Sequence, residues 1–312
     1  MIISASRRTD IPSYYSDWFF NRIKKGFVLV RNPMNFHQIS RIKLTPDVVD
    51  GIVLWTKNPT PMIGRLYELR DYMYYFQFTI TSYGKDIEPN IPQKNTDVLA
   101  AFKQVSEIVG TDRIIWRYDP ILLNEKYTTD YHSHAFRKIA EELCKHTKKV
   151  TISFIDTDYK GLKSNIGALK LTDFPLETQK ELAATLAAIA HECGLIIDTC
   201  AEKMDLREYG IEQARCIDDR LFSKLLSSSL DVEKDKNQRL ECGCISSIDI
   251  GMYNTCKNGC LYCYANYSKG AVDGNFSKHD PQSALLSGEV EENDKITERI
   301  IKSFNYRQFI TL

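Results

Sequence analysis

The chain has 312 residues, with 41 basic and 41 acidic side chains, so its formal net charge is zero. That balance gives no electrostatic case for nucleic acid or an anionic membrane as partner. The length suits one large domain, or one with an appendage. The absence of an 18-residue apolar run excludes a spanning helix.

Short β-branched and aromatic runs predict strands at 2–6, 51–55, 75–81, 114–117, 149–155, 195–199 and 247–251. Between them, helices are expected at about 13–25, 61–72, 93–109, 129–147 and 174–193. The last of these is rich in Ala, Leu and Glu, with Gly194 placed to end it. Residues 27–44 read as a hairpin turning at Asn32-Pro33. Repeated β-then-α units predict a parallel sheet with right-handed crossovers. About seven units favour an α/β fold of the (β/α) TIM-like barrel type over an open sheet. The expected organisation is a single structural domain: a barrel body over 1–240, then a cysteine-rich segment with the last barrel strand and a wrapping tail over 241–312. The tail carries a helical pattern at about 292–305. No Gly-x-Gly-x-x-Gly, P-loop, Gly-x-Ser-x-Gly or His-Glu-x-x-His pattern occurs.

Each predicted strand runs into a polar tag, and in a parallel barrel these tags share the face where active sites form. They nominate Arg7, Arg8, Asp10, Lys57, Arg117, Asp119, Asp156 and Glu202. Each has a plain structural alternative: Arg7, Arg8 and Asp10 as a helix N-terminal region with Asp10 its cap, Lys57 as a salt-bridged lysine, Arg117 with Asp119 as loop-ordering charges, Asp156 and Glu202 as partners of the arginines.

Nine cysteines, seven of them after residue 199, in a chain without a signal-peptide pattern point to a cytoplasmic protein and to metal rather than disulfides. Cys144 and Cys193 fall in helical stretches and are expected in the core. Cys256, Cys260 and Cys263 have the spacing Cys-x3-Cys-x2-Cys, which lets three thiolates converge from one loop. A [4Fe–4S] cluster is held by such thiolates, and three ligands leave one iron free for a small molecule. The alternative is a structural zinc knuckle, which wants four N or S ligands. Cys242 and Cys244, with Cys200 and Cys216, make up a complete ligand set for a second site, zinc or an auxiliary iron–sulfur cluster.

The run Thr-Cys-Lys-Asn-Gly-Cys-Leu-Tyr-Cys-Tyr-Ala-Asn resembles the signature of the radical S-adenosylmethionine (SAM) superfamily, and within it the branch containing spore photoproduct lyase. More of the chain resembles a bacterial family catalogued as a domain of unknown function. That likeness rests on Ser-Arg-Arg-Thr-Asp-Ile-Pro (6–12), Trp-Thr-Lys-Asn-Pro (55–59), Trp-Arg-Tyr-Asp-Pro (116–120) and the cysteine-rich end. The superfamily resemblance implies that SAM binds the free iron and is cleaved on reduction to a 5′-deoxyadenosyl radical. It also implies a reductant such as a flavodoxin or ferredoxin, and an unknown substrate. It places Arg7, Arg8 and Tyr262 in cofactor contact, with Asp10 accepting from the SAM ammonium. In that superfamily the cysteine loop follows the first strand and a Gly-Gly-Glu stretch follows the loop; here the loop comes after residue 250 and no such stretch follows. Pairing of 247–251 beside 2–6 would restore the loop's position, so a circularly permuted barrel is expected. Two other classes stand beside this reading: a non-catalytic or electron-transfer metalloprotein with a structural zinc or iron–sulfur site, and a barrel hydrolase or isomerase using Asp119, Asp156 or Glu202.

Overall fold

Eight parallel strands make the main sheet. The computed structural model describes residues 1–159, 162, 165–300 and 302–304. In chain order the strands are β1 (Ile2–Ala5), β2 (Phe27–Asn32), β3 (Asn35–Lys43), β4 (Gly51–Thr56), β5 (Tyr74–Thr79), β6 (Ile114–Ile121), β7 (Lys149–Phe154), β8 (Ile196–Thr199), β9 (Glu212–Gln213), β10 (Ile248–Asp249) and β11 (Lys295–Glu298). The helices are α1 (Ile11–Tyr14), α2 (Ser16–Lys25), α3 (Thr60–Ile63), α4 (Leu99–Val109), α5 (Thr129–Leu143), α6 (Ile166–Leu169), α7 (Leu176–Glu192), α8 (Asp219–Leu226) and α9 (Lys269–Ser277). The sheet order is β10-β1-β4-β5-β6-β7-β8-β9. β10 pairs in parallel with β1, Ile248 opposite Ile3 and Asp249 opposite Ser4.

This sheet is open, which corrects the expected barrel, permuted or not. Among the described residues β9 and β10, the two edges, are not paired with each other. The number of βα units does not decide closure; closure needs edge strands long enough to share a ladder. Here each edge strand has two residues. The segment between the edges takes the place a barrel wall would have. It carries α8 and buries Ala214, Cys216, Ile217, Phe222, Cys242, Cys244 and Ile245 against Ile2, Val53, Tyr75 and Ile115 of the sheet. Phe222 packs on Gly51, where an added Cβ would fall 2.1 Å from the ring.

Strand alternation puts the other side chains on the helical face. Ile3, Ile52, Leu54, Phe76, Phe78, Trp116 and Ile152 pack there with Trp18, Phe19, Phe102, Phe136 and Leu186 of the helices. Cys144 and Cys193 are half-buried against the same core.

Several expected helices shorten. The stretch from 61 holds only α3 and a 3-10 turn at Leu66–Leu69. The 93–109 stretch opens with a π turn at Lys94–Val98 before α4. Gly194 does follow α7 with φ +70°. The tail differs more. Of the expected helix at 292–305, residues 295–298 form β11, parallel to β3 of the 27–43 hairpin; residues 301 and 305 lie outside the described residues. The backbone of 281–285 accepts from Asn21, Arg22 and Trp18 of α2. The tail is thus fastened to the hairpin and α2, and the cysteine-rich segment belongs to the main sheet through β10.

Candidate functional site

All strands of the main sheet end on one edge, and the candidate residues collect there as two neighbouring groups. The first is built on the loop after β10. Asp249 fixes its root: the carboxylate accepts from Ser4 Oγ at 3.0 Å, Ser6 Oγ at 2.5 Å, Arg7 N at 2.8 Å and Gly251 N at 2.9 Å. The loop itself is clamped from two sides. On one side, Tyr14 OH donates to Asn258 Oδ1 at 2.9 Å, Tyr15 OH to the Thr255 carbonyl at 2.6 Å, and Asn258 Nδ2 to Asp10 at 3.1 Å. On the other, Asn90 Nδ2 donates to the Lys257 carbonyl at 2.7 Å and Leu261 N to the Ile87 carbonyl at 3.0 Å.

Asp10 caps α1 through Ser13 N at 3.1 Å and accepts from Lys57 N at 2.8 Å. With Asn258 and the Thr56 hydroxyl, this engages both carboxylate oxygens in holding three segments together. Burial raises its pKa against these hydrogen bonds.

Within the loop, Cys256 and Cys260 are buried and Cys263 half-buried. Burial pushes all three thiols up, Cys260 to about 12, and for Cys256 the charges of Asp10, Cys263 and Cys260 add to it. Lys57 opposes the rise at Cys260 and Cys263. Its ammonium lies 2.9 Å from Glu88 Oε1, while Lys94 pairs with Glu88 Oε2. Tyr262 OH also donates to Glu88, and Thr81 Oγ1 does so at 2.9 Å. Burial alone would raise the Glu88 pKa, but the two ammoniums pull it down to about 2. Two lysines sharing one carboxylate leave one unit of positive charge buried beside the thiols. Lys94 carries the strain of this sharing: burial and Lys57 lower its pKa, while Lys57 is held up by Glu88 and Cys260.

The second group lies on the inner face toward β8. Cys216 Sγ stands 3.3 Å from Cys200 Sγ, and Cys242 and Cys244 pack in the same buried cluster, with Cys244 Sγ accepting from Ile217 N at 3.4 Å. Arg117 links this group to the first. Its Nη1 donates to Cys216 Sγ at 2.9 Å and to Gln77 Oε1 at 3.2 Å, and its Nε holds Asp119 at 3.1 Å. Its guanidinium lies 5.3 Å over the Trp55 ring. Asp119 adds to the field at Lys57.

The remaining predicted residues are placed as follows. Arg7 is near Ser247 Oγ (3.4 Å) and Asp235 (3.8 Å), beside Cys244. Arg8 lies 5.1 Å over Tyr253. Asp156 pairs with Arg239 at 2.6 Å. Glu202 accepts from Phe154 N at 2.8 Å, and burial raises its pKa. Both carboxylates lie by the second group, around Arg239, which also feels Cys200.

The chain belongs to the DUF1848 family. The model of that family, described as a domain of unknown function, matches residues 2–265, which take in both cysteine groups and every sheet strand from β1 to β10. The resemblance read from the 6–12, 55–59 and 116–120 runs is therefore to the chain's own family. No curated protein matches the chain.

Glu88, Lys94, Asn258 and Asp249 were missed by sequence reasoning. Glu88 lies just past the strand-end run Thr81-Ser82-Tyr83-Gly84, where a carboxylate was visible but its two lysine partners were not.

The fit of a metal group can be weighed on these observations. Among the described residues no three His, Cys, Asp or Glu side chains close on one point at single-ion range. The 256–263 thiols act on one another electrostatically without so closing. Cys263 Sγ accepts from Ala265 N at 3.4 Å, as cluster thiolates accept from backbone amides. Nearby, Asn266 donates through Nδ2 to the Cys256 carbonyl at 2.7 Å, while its buried Oδ1 has no partner.

Proposed function

We propose that this protein is an iron–sulfur enzyme of radical-SAM-like chemistry, with a [4Fe–4S] cluster on Cys256, Cys260 and Cys263. The observation that carries the reading is the pinned three-cysteine loop beside a buried pair of lysines sharing one carboxylate. Thiolates are costly in a buried site unless positive charge meets them, and Lys57 and Lys94 exceed Glu88 by one charge. Three thiolates serve three of four irons. When bound, such a cluster would supply the electron that cleaves SAM.

The chain's own residues have definable tasks in this proposal. Lys57 offsets thiolate charge, Glu88 keeps Lys57 and Tyr262 in place, and Asp10 with Asn258 sets the loop's distance from the sheet. The unpartnered Asn266 Oδ1 is an acceptor for a ligand ammonium or hydroxyl. Arg8, over Tyr253, is the cation for a ligand carboxylate. Arg117 and Asp119 neutralise each other and close the site toward the second cysteine group. The substrate and its reductant are not specified by these residues.

The test is iron and acid-labile sulfide content after anaerobic purification and reconstitution, with EPR of the reduced protein before and after SAM. About four irons per chain, lost in Cys256→Ala, and a spectrum altered by SAM are expected. Zinc without sulfide on these cysteines, or a cluster indifferent to SAM, would overturn the reading.

A further inference from the structure

The second cysteine group is not used by that proposal and stands independently of it. Its four thiols come from three segments. Cys200 directly follows β8, with its N–H bonded to the Ile152 carbonyl at 2.9 Å. Cys216 follows β9, and its carbonyl accepts from both Tyr75 OH and Gln77 Nε2 at 2.8 Å. Cys242 and Cys244 precede β10. Ile245 N reaches the Ile217 carbonyl at 3.1 Å, and Ile217 N donates to Cys244 Sγ at 3.4 Å. Gly243 lets this strand lie against residue 214: an added Cβ would fall 2.9 Å from the Ala214 carbonyl oxygen.

We infer that Cys200, Cys216, Cys242 and Cys244 form a tetrahedral site for a single zinc ion that ties the 200–245 segment to the open face of the sheet. The thiol spacing decides between a single ion and a cluster. With Zn–S near 2.3 Å, the sulfurs of a tetrahedral tetrathiolate lie about 3.8 Å apart. The Cys200–Cys216 separation is 3.3 Å, and Cys242 and Cys244 lie buried in the same cluster. Cubane ligands stand farther apart, so the contact between Cys200 and Cys216 suits one ion better than an auxiliary cluster. Among the described residues the four thiols do not meet at one point, so the ion itself would have to draw them together.

Packing alone does not account for the surroundings. Small buried cysteines are ordinary core residues, but here Arg117 donates directly to Cys216 Sγ. Trp55, which packs on this cluster, has a buried Nε1 without a partner, as does Thr199 Oγ1 beside Cys200. Buried polar groups are normally satisfied. The arginines nearby are already matched by carboxylates: Arg117 faces Asp119, Arg7 faces Asp235, and Arg239 faces Asp156. Four thiolates added to that balance need a cation of their own, which a divalent metal supplies.

Metal analysis of the full chain tests this. The triple variant Cys256→Ser/Cys260→Ser/Cys263→Ser should retain about one zinc per chain after dialysis, the complement of a four-thiolate site. Cys242→Ser/Cys244→Ser should lose it. Should the double variant fail to fold, cobalt(II) titration of the triple variant gives the same answer. A tetrahedral tetrathiolate spectrum with strong sulfur-to-cobalt charge transfer supports the site. A Cys200–Cys216 disulfide, four titratable free thiols after cobalt addition, or iron and sulfide retained in the triple variant would each overturn it.

Discussion

The two cysteine groups sit on one edge of one sheet, yet they are made in opposite ways. Cys256, Cys260 and Cys263 span eight residues of one loop, and clamps from α1 and from the 84–91 loop orient them. Cys200, Cys216, Cys242 and Cys244 span forty-five residues, and only the fold brings them together. A local ligand loop needs neighbours to aim it. A dispersed set needs the whole inner face to exist, and once assembled it can hold that face shut.

The sharpest way to break the comparison is metal selectivity. Loss of Cys256 should abolish iron binding and leave zinc; loss of Cys242 should abolish zinc, with metal analysis of both variants as the check. A variant that loses both metals together would show the two groups to be one site.

Arg117 joins the groups, so its removal should harm the fold more than any exposed ion pair. Arg117→Met leaves Asp119 and Cys216 without their buried cation, and about 3–5 kcal/mol of stability should be lost in denaturant unfolding. A loss below about 1 kcal/mol, the worth of a surface pair, would remove Arg117 as the connector.

Acid should act first under the single-loop group. His132 is buried between Tyr118 OH at 2.8 Å and the Leu122 carbonyl at 2.9 Å, its ring 5.8 Å from Tyr83 of the cluster that Leu261 and Tyr262 pack against. Since only Nε2–H can meet a carbonyl, Nδ1 accepts from Tyr118 and the ring is neutral. Burial lowers its pKa to about 4, against about 6.5 unfolded. The stability tied to the neutral ring is therefore complete above pH 6.5 and is lost as pH falls through 4, a change of about 3 kcal/mol. In His132→Gln that slope should flatten, and unfolding curves between pH 7 and 4 measure it. An unchanged slope would assign the acid sensitivity elsewhere.

The smallest expected effect concerns the dispersed group's floor. Gly51→Ala places a methyl group into the Phe222 ring and should cost about 1–3 kcal/mol. Adding Phe222→Leu should recover part of it. Additive losses would mean that the ring is not the obstacle.

How far the sequence was legible follows the same division. Most parallel strands, the hairpin and α7 were readable, because periodicity and propensity act over a few residues. The 256–263 ligand loop was readable because its geometry is encoded in adjacent spacing. The pairing of β10 beside β1 was anticipated, whereas barrel closure was not correct. Nothing local says that the edge strands stop at two residues, or that 214–246 lies across the face instead. The 292–305 pattern misled for a related reason: its residues have helical propensity, but β3 offered an edge, and backbone pairing there overrode it.

Sequence by itself determined the kind of chemistry available, nine thiols without a disulfide framework and a three-cysteine loop, because side-chain identity and short spacing are properties of the chain. Tertiary structure alone decided that the sheet stays open, that Lys57 and Lys94 share Glu88, and that four distant cysteines gather in one buried cluster. Those are long-range contacts, fixed by which apolar faces must be buried together and not by any run of residues.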